Sequence, residues 1–236
     1  MATVILVRHG RTTANATGVL AGRTPGVSLD DVGREQAGRT GERLAAVPLV
    51  AVVSSPLERC RQTAQFILDR QGGTPHSPLD DGISECDYGQ WQGRTLTELA
   101  LEPLWSTVQS QPSAVTFPGG ESMAAMQARA VAAIRGYDAA IEAEHGPGAV
   151  WAAVSHGDII KSVLADAFGT HLDLFQRIMV GPASVSIVSY GAARPMVHTV
   201  NTDAGDLSWL AKIGPSGDAA VGGGAGNTPP SPSGLK

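Results

Sequence analysis

Histidines and arginines follow three short apolar runs of this sequence, at points where a buried strand would leave the core. The runs end in Arg8-His9-Gly10, in Ser54-Ser55-Pro56 with Arg59 soon after, and in Ser155-His156-Gly157. In an open α/β sheet the ligand site lies outside the carboxyl ends of the strands, so these imidazoles and guanidiniums are predicted to meet at one edge. Such groups repel one another unless an anion lies among them, and guanidinium forks match phosphate oxygens. The pattern therefore predicts a phosphate pocket.

Helix ends and glycines support the same prediction. Helices are expected to begin after Pro56, with Ser54 and Ser55 supplying the N-cap, and after Gly157. Their first N–H groups and positive dipole ends would face the pocket. Gly10 and Gly157 each follow a histidine, where a glycine permits a tight turn that leaves the backbone open to a ligand.

Covalent catalysis by histidine is the chemistry that the sequence supports best. A cysteine phosphatase loop needs an arginine at a fixed distance after its cysteine, but Phe66 and Gln92 occupy those positions after Cys60 and Cys86. The sequence also lacks a G-x-x-x-x-G-K-[ST] loop and a His/Asp cluster with the spacing of a two-metal site. A neutral imidazole attacks phosphorus and forms a covalent intermediate, and His9 is the better-placed candidate. Neither a metal nor a cofactor is expected.

Such a reaction also needs a general acid that protonates the leaving oxygen. The segment D-D-G-I-S-E-C-D offers four carboxyl groups, those of Asp80, Asp81, Glu85 and Asp87. Composition does not choose among the four, and a solvated acidic loop is the alternative interpretation of this segment.

The elements that must position these groups alternate between strands and helices. Strands are predicted at Thr3–Val7, 49–55, 149–155, 185–190 and 195–200, and helices at 31–47, 57–70, 95–108, 122–144 and 158–168. This alternation predicts an α/β fold, a three-layer α/β/α sandwich whose central sheet is mostly parallel with helices on both faces. The Pro- and Gly-punctuated segment 74–120 is predicted to be a cap-like insertion over the sheet.

Composition restricts the class of protein. The 236 residues are 42% hydrophobic, enough for one α/β core, and the net charge of -5 without a basic block argues against nucleic acid as a partner. The sequence shows neither a signal peptide nor a membrane span, and its two cysteines form no C-x-x-C pair. We expect a cytoplasmic protein with one domain over 1–213 and a disordered Gly/Pro/Ser-rich tail over 214–236.

Four motifs, in this order, resemble those of a known family. They are R-H-G-R-T-T-A-N (8–15), S-S-P-L-E-R-C-R-Q-T-A (54–64), S-E-C-D-Y-G-Q-W-Q-G (84–93) and S-H-G (155–157). Together they span about residues 3–200 and resemble the histidine phosphatase superfamily, in its phosphoglycerate-mutase-like group. The resemblance implies an α/β/α sandwich, which agrees with the fold predicted from the apolar runs.

The resemblance also implies a role for each motif residue. His9 would be the phosphohistidine nucleophile, Glu85 the proton donor, and Arg8, Arg59 and His156 the ligands of the transferred phosphoryl group. In that mechanism a protonated His156 stabilises charge on the phosphoryl oxygens. Further positions that line the pocket or contact substrate in the family correspond to Asn15, Gly22, Tyr88 and Gly157.

This family contains both hydrolases and mutases with these residues. The glycolytic mutases carry an adjacent arginine pair and a lysine after the acid motif, whereas the segment 93–113 of this chain has Arg94 but neither an arginine pair nor a lysine. We therefore predict a metal-independent phosphomonoesterase, with a phosphomutase as the alternative and an inactive phosphate-binding protein as the second alternative. The expected partners are a small phosphorylated substrate and a second copy in a homodimer, and neither nucleic acid nor a membrane.

Overall fold

A five-stranded mixed sheet forms the centre of the molecule. The computed structural model describes residues 2–191, 193–203 and 221–224. The strands are β1 (Thr3–Arg8), β2 (Ala51–Ser54), β3 (Val150–Ser155), β4 (Val185–Tyr190) and β5 (Pro195–Thr202), in the spatial order β2-β3-β1-β4-β5. The first three are parallel, whereas β4 and β5 are antiparallel to their neighbours. The parallel centre confirms the predicted fold class, and the short connection from β4 to β5 permits only antiparallel pairing.

The helices largely follow the predicted pattern. They are α1 (Thr13–Ala16), α2 (Asp31–Leu44), α3 (Glu58–Leu68), α4 (Leu96–Leu99), α5 (Trp105–Ser110), α6 (Met123–His145) and α7 (Gly157–Phe168). The single helix predicted over 95–108 is two helices, because Pro103 between α4 and α5 has no N–H and cannot continue the first one. Within the described ranges, no helix combines the length and the apolar character needed to cross a membrane.

Both faces of the sheet are covered, because successive side chains of a strand point to opposite sides. Val4 and Leu6 of β1 belong to a core cluster that also contains residues of α6 and α7. Ile5 and Val7 belong to a second cluster, shared with α2 and α3. The molecule therefore has the three predicted layers, with β1 in the middle of the sheet.

The segment 74–120 packs into the first of these clusters. Its buried side chains in that cluster are Ile83, Cys86, Tyr88, Trp91, Leu99, Val108, Val115 and Phe117. Before them, His76 and Leu79 form bridges with Ala51 and Ser54 of β2. Because Ser54 is the last residue of β2, this pairing delivers the acidic segment that begins at residue 80 to the carboxyl edge of the sheet.

The loop after β1 lies directly against α2. A Cβ on Gly33 would collide with the backbone of Arg11, and a Cβ on Gly10 would collide with the backbone of Gly33. The Gly10 N–H donates to Thr63 Oγ1 of α3 at 3.1 Å. Gly10 is therefore needed for close packing, which fixes the chain immediately after His9.

Most of the tail that we predict to be disordered, 214–236, lies outside the described residues. Its described part, 221–224, contains a short 3-10 turn at Val221–Gly223. Val221 is buried, and the Gly222 N–H donates to Asp158 Oδ2 of α7 at 3.0 Å. These four residues lie at the same edge of the sheet as the strand-end histidines.

Candidate active site

A cavity at the carboxyl edge of the sheet brings together several of the predicted site residues. It has an empty volume of about 380 Å³, including its open mouth. The predicted site residues that line it are His9, Asn15, Gly22, Arg59 and Glu85. Apolar side chains also line it, those of Ala14, Val19, Leu20, Ala21, Leu96 and Val221.

Arg59 lies between the two strand-end histidines, in the first turn of the helix that follows β2. Its Nε donates to His9 Nε2 at 3.3 Å, and its Nη2 donates to His156 Nδ1 at 3.2 Å. Nη2 also donates to the Gly22 carbonyl at 2.7 Å. The centroids of the two imidazole rings are 5.2 Å apart. Because Arg59 is only 2% exposed, its contacts are shielded from water.

His9 presents an unprotonated nitrogen at this site. Its Nδ1 lies 2.7 Å from the Gly10 carbonyl, which can only accept, so Nδ1 carries the hydrogen. Its Nε2 accepts from Arg59. Burial lowers the pKa of His9 well below its ordinary value, and the charges of Arg59 and Arg8 lower it further. The imidazole is therefore neutral with its lone pair on Nε2, the form that acts as a nucleophile.

The surroundings of His156 favour the neutral ring, as they do for His9. Burial lowers the pKa of His156 well below its ordinary value, and the charges of Arg59 and Arg8 add to the effect. Because Nδ1 accepts from Arg59, the hydrogen lies on Nε2, which donates to Ser55 Oγ at 2.8 Å. The predicted protonation of His156 beside a phosphoryl group stays a prediction.

Ser55, which is predicted to supply the N-cap of the following helix, contacts a site histidine instead. The N-cap of α3 is Leu57, without a side-chain cap bond. The Ser55 hydroxyl instead orients His156. The S-S-P motif places a hydroxyl at the end of β2, but its partner His156 follows another strand and cannot be identified from the local sequence.

Glu85 is the candidate acid, among the four, that lines the cavity. Asp80 and Asp87 accept hydrogen bonds from backbone N–H groups of their own turns. Asp81 accepts one from the Ser84 hydroxyl at 3.4 Å. Glu85 is also the residue that the family resemblance implies as the proton donor, and this role stays a prediction.

The environment of Glu85 suits proton transfer near neutral pH. Burial raises the pKa of this carboxyl to about 7, and the negative charge of Asp158 contributes to the rise, while Arg59 opposes it. Its Oε1 accepts from the Cys86 N–H at 3.0 Å, and its Oε2 lies 4.0 Å from His156 Nδ1. A carboxyl with this pKa can both donate a proton and accept one at neutral pH.

Arg8 lies behind His9 and is not among the described residues that line the cavity. Its Nη1 donates to the Val180 carbonyl at 2.8 Å and its Nη2 to the Gly224 carbonyl at 2.6 Å. Burial lowers the pKa of this guanidinium to about 10, so it remains charged at neutral pH. Its charge acts on His9 and Glu85, and its predicted contact with a phosphoryl group stays a prediction.

Tyr88 is fully buried, which does not support the predicted substrate contact. Its hydroxyl donates to Asp158 Oδ2 at 2.7 Å, and Asp158 Oδ1 pairs with Lys161 Nζ at 2.7 Å. Lys161 also donates to Gln176 Oε1 at 2.7 Å. The sequence already indicates part of this buried network, because Asp158 and Lys161 lie one helical turn apart among apolar residues.

Of the remaining predicted positions, Asn15 and Gly22 line the cavity, whereas Gly157 is not among its described lining residues. The Asn15 side-chain oxygen accepts from the Thr12 N–H at 3.1 Å, so its NH₂ group is what it can offer to a ligand. Gly22 has φ 51°, a conformation that favours glycine, and a Cβ there would collide with the Gln92 side chain. Gly157 is the first residue of α7 and is buried behind His156.

Comparison with known proteins identifies the family. The family model described as Histidine phosphatase superfamily (branch 1) matches residues 4–203. The chain belongs to this superfamily. It is 29% identical over 213 residues to the probable phosphoglycerate mutase GpmB of Erwinia tasmaniensis, covering 89% of this chain and 95% of that protein. It is 28% identical over 204 residues to phosphoserine phosphatase 1 of Hydrogenobacter thermophilus, covering 85% and 92%.

A solved structure of the superfamily shares the fold. Bacillus stearothermophilus YhfR superposes with a TM-score of 0.76 at 27% identity, covering 87% of this chain and 98% of that chain. Other relatives are longer: the chain spans 50% of the length of mycobacterial proteins that it matches at 33% identity over 192 residues. Since the relatives include a probable mutase and a phosphatase, membership of the histidine phosphatases establishes the family and not the reaction.

Replacing Tyr88 with phenylalanine tests whether this residue of the histidine phosphatase is structural. The variant loses a buried hydrogen bond to a carboxylate, so the free energy of unfolding is expected to fall by about 1–3 kcal/mol. The KM for p-nitrophenyl phosphate should stay near the wild-type value, because the ring lies outside the cavity. Urea unfolding and steady-state kinetics measure the two effects.

The less buried Tyr137 of α6 offers a matched control for this substitution, and Tyr137→Phe should lose less stability. A large rise in KM with unchanged stability in Tyr88→Phe would instead show that the hydroxyl contacts substrate.

Proposed function

We propose that this protein is a metal-independent phosphomonoesterase that hydrolyses a small phosphorylated metabolite through a phosphohistidine. One observation carries the proposal: His9, neutral with its lone pair on Nε2, shares a cavity with Glu85, whose pKa is raised to about 7. A neutral nucleophile and a protonated donor are what the first half of such a reaction requires.

In the first step, His9 Nε2 attacks phosphorus and the bond from phosphorus to the leaving oxygen breaks. Glu85 gives its proton to that oxygen, which leaves as the alcohol, and becomes a carboxylate. Arg59, whose Nε–H already donates to His9 Nε2, stabilises negative charge on the phosphoryl oxygens.

In the second step, the Glu85 carboxylate takes a proton from water as the water oxygen attacks phosphorus. The bond between nitrogen and phosphorus breaks, which releases inorganic phosphate and restores neutral His9 and protonated Glu85. The sum of both steps converts a monoester and water into an alcohol and inorganic phosphate.

A phosphomutase is the second candidate, favoured by the similarity to GpmB. The contacts of Arg94 support the phosphatase instead. This arginine is the only basic residue of the segment 93–113, and its Nη1 pairs with Glu102 Oε1 at 2.6 Å. Arg94 therefore provides less positive charge for a substrate carboxylate than the arginine pair and lysine expected of a mutase.

We also infer a cytoplasmic location. Cys60 and Cys86 are free and buried, as expected of thiols in a reducing compartment. The homodimer and the expected lack of nucleic-acid and membrane partners stay predictions.

Hydrolysis of p-nitrophenyl phosphate in the presence of EDTA tests the proposed enzyme. We expect the wild-type protein to be active and His9→Ala to lose about a thousandfold or more of the activity, because the nucleophile is removed. His198→Ala is the control, since that ring contacts Ser189 on the β4–β5 pair. Equal rates for wild type and His9→Ala would favour an inactive phosphate-binding protein, and loss of wild-type activity with EDTA would contradict the metal-independent mechanism.

A mixture of 3-phosphoglycerate, a bisphosphoglycerate primer and the protein distinguishes the phosphatase from the mutase. We expect release of inorganic phosphate to exceed exchange between phosphoglycerate isomers, because the segment 93–113 lacks the basic residues of a mutase. Phosphate is followed colorimetrically and the isomers by enzyme-coupled assay. Isomer exchange much faster than phosphate release would establish the mutase.

The raised pKa of Glu85 predicts a loss of activity in alkaline solution. The donor is protonated below about pH 7, where His9 remains neutral because its own pKa is lowered. For an alkyl phosphate, kcat/KM should therefore level off below that pH and fall about tenfold per pH unit above it. In Glu85→Gln the residual rate should lose this dependence, and an unchanged alkaline decrease in that variant would assign it to another group.

A further inference from the structure

Three charged side chains from separate parts of the chain surround the backbone of Glu85. Arg23 lies in the loop after α1, Glu121 lies directly before α6, and Arg129 lies within α6. We propose that these residues form a clamp, called the Glu85 clamp, that positions the proton donor for catalysis. The proposal rests on the proposed function, because that function assigns proton transfer to Glu85.

The Glu85 clamp binds main-chain atoms at both ends of the segment 85–87. Arg23 Nε donates to the Glu85 carbonyl at 2.8 Å, and Arg129 Nη2 donates to the same oxygen at 3.1 Å. Two residues further along, the Asp87 N–H donates to Glu121 Oε1 at 2.9 Å. Side chains of the clamp therefore hold both ends of the segment 85–87.

Glu121 joins the two arginines. Its Oε1 accepts from Arg129 Nη2 at 2.6 Å and from Arg23 Nη2 at 3.1 Å, while its Oε2 accepts from Arg129 Nε at 3.0 Å. The contact with Arg129 is bidentate, which fixes the direction of the guanidinium as well as its distance. Arg129 also donates to the Gly82 carbonyl at 2.8 Å, so it secures the turn before Glu85 as well.

This support matters because residues 85–88 belong to neither a helix nor a strand. No ladder of backbone hydrogen bonds holds them, unlike His9 at the end of β1. A general acid must come within hydrogen-bond distance of the leaving oxygen, and a displacement of about 1 Å costs about a hundredfold in rate. The side chains of the clamp supply the fixed position that regular secondary structure supplies to the nucleophile.

The clamp acts through position, since other groups set the protonation state of the donor. The largest influences on the pKa of Glu85 are burial, then Asp158, then Arg59. Within the clamp, the charge of Glu121 is balanced by two guanidinium groups. Removal of the Glu121 charge is therefore expected to displace the carboxyl group of Glu85.

Two substrates with the same phosphoryl group and different leaving groups test this proposal. The p-nitrophenolate ion leaves readily without a proton, whereas the alkoxide of glycerol phosphate requires one. In Glu121→Gln and in Arg23→Met, kcat/KM for glycerol phosphate is expected to fall about 10- to 100-fold. For p-nitrophenyl phosphate, kcat/KM should fall less than about threefold, because this quantity reports only the steps up to departure of the leaving group and the clamp contacts neither His9 nor Arg59.

The second variant keeps the test decisive if the first one folds poorly, because the Arg23 side chain is 37% exposed. Asp166→Asn is the matched control: it breaks an ion pair of 2.7 Å with Arg135 on the surface, and both substrates should keep their rates. Equal losses for the two substrates in the clamp variants, or no loss for glycerol phosphate, would overturn the proposal.

Glu85→Gln separates failure of the clamp from failure of the proposed function. If Glu85 is the donor, this variant also loses more activity with glycerol phosphate than with p-nitrophenyl phosphate, and the difference is larger than in the clamp variants. With that result, clamp variants that behave like wild type contradict the clamp alone. A Glu85→Gln variant with no dependence on the leaving group contradicts the donor role, and the clamp proposal with it.

Discussion

Arg59 makes the contacts on which the rest of the site depends. Its guanidinium donates to one nitrogen of His9 and to one of His156, and a ring nitrogen that accepts a hydrogen bond carries no hydrogen of its own. One buried cation therefore sets both tautomers, and its charge adds to the effect of burial, which lowers the pKa of both rings. The same guanidinium binds the Gly22 carbonyl, so it also places the loop after α1 against the histidines.

Sheet topology explains why this arrangement could be predicted from sequence. β1 and β3 are adjacent parallel strands with Arg8 opposite Ser155, so the residues that follow them, His9 and His156, must lie side by side. β2 lies on the other side of β3, and the helix after it brings Arg59 to the same edge. The place of a motif at the end of a parallel strand can be predicted from sequence, because the carboxyl ends of parallel strands lie at the same edge of the sheet.

Other parts of the site depend on distances that the sequence does not contain. The hydroxyl of Ser55 and the carboxylate of Asp158 acquire partners only when separate elements pack together. The neutral state of His156 follows from burial beside two guanidiniums, whereas the sequence shows only its residue type. The direction of β4 is a related case: α7 connects β3 to β4, as in a parallel unit, yet β4 pairs antiparallel with β1.

The two proposed reacting groups differ in the kind of structure that carries them. His9 follows the middle strand of the sheet, and Glu85 lies in a segment without regular structure. The donor segment is nevertheless anchored in the same hydrophobic cluster as β1, because Cys86 and Tyr88 pack there with Val4 and Leu6. Loss of that packing on warming would therefore displace the proton donor and the nucleophile together.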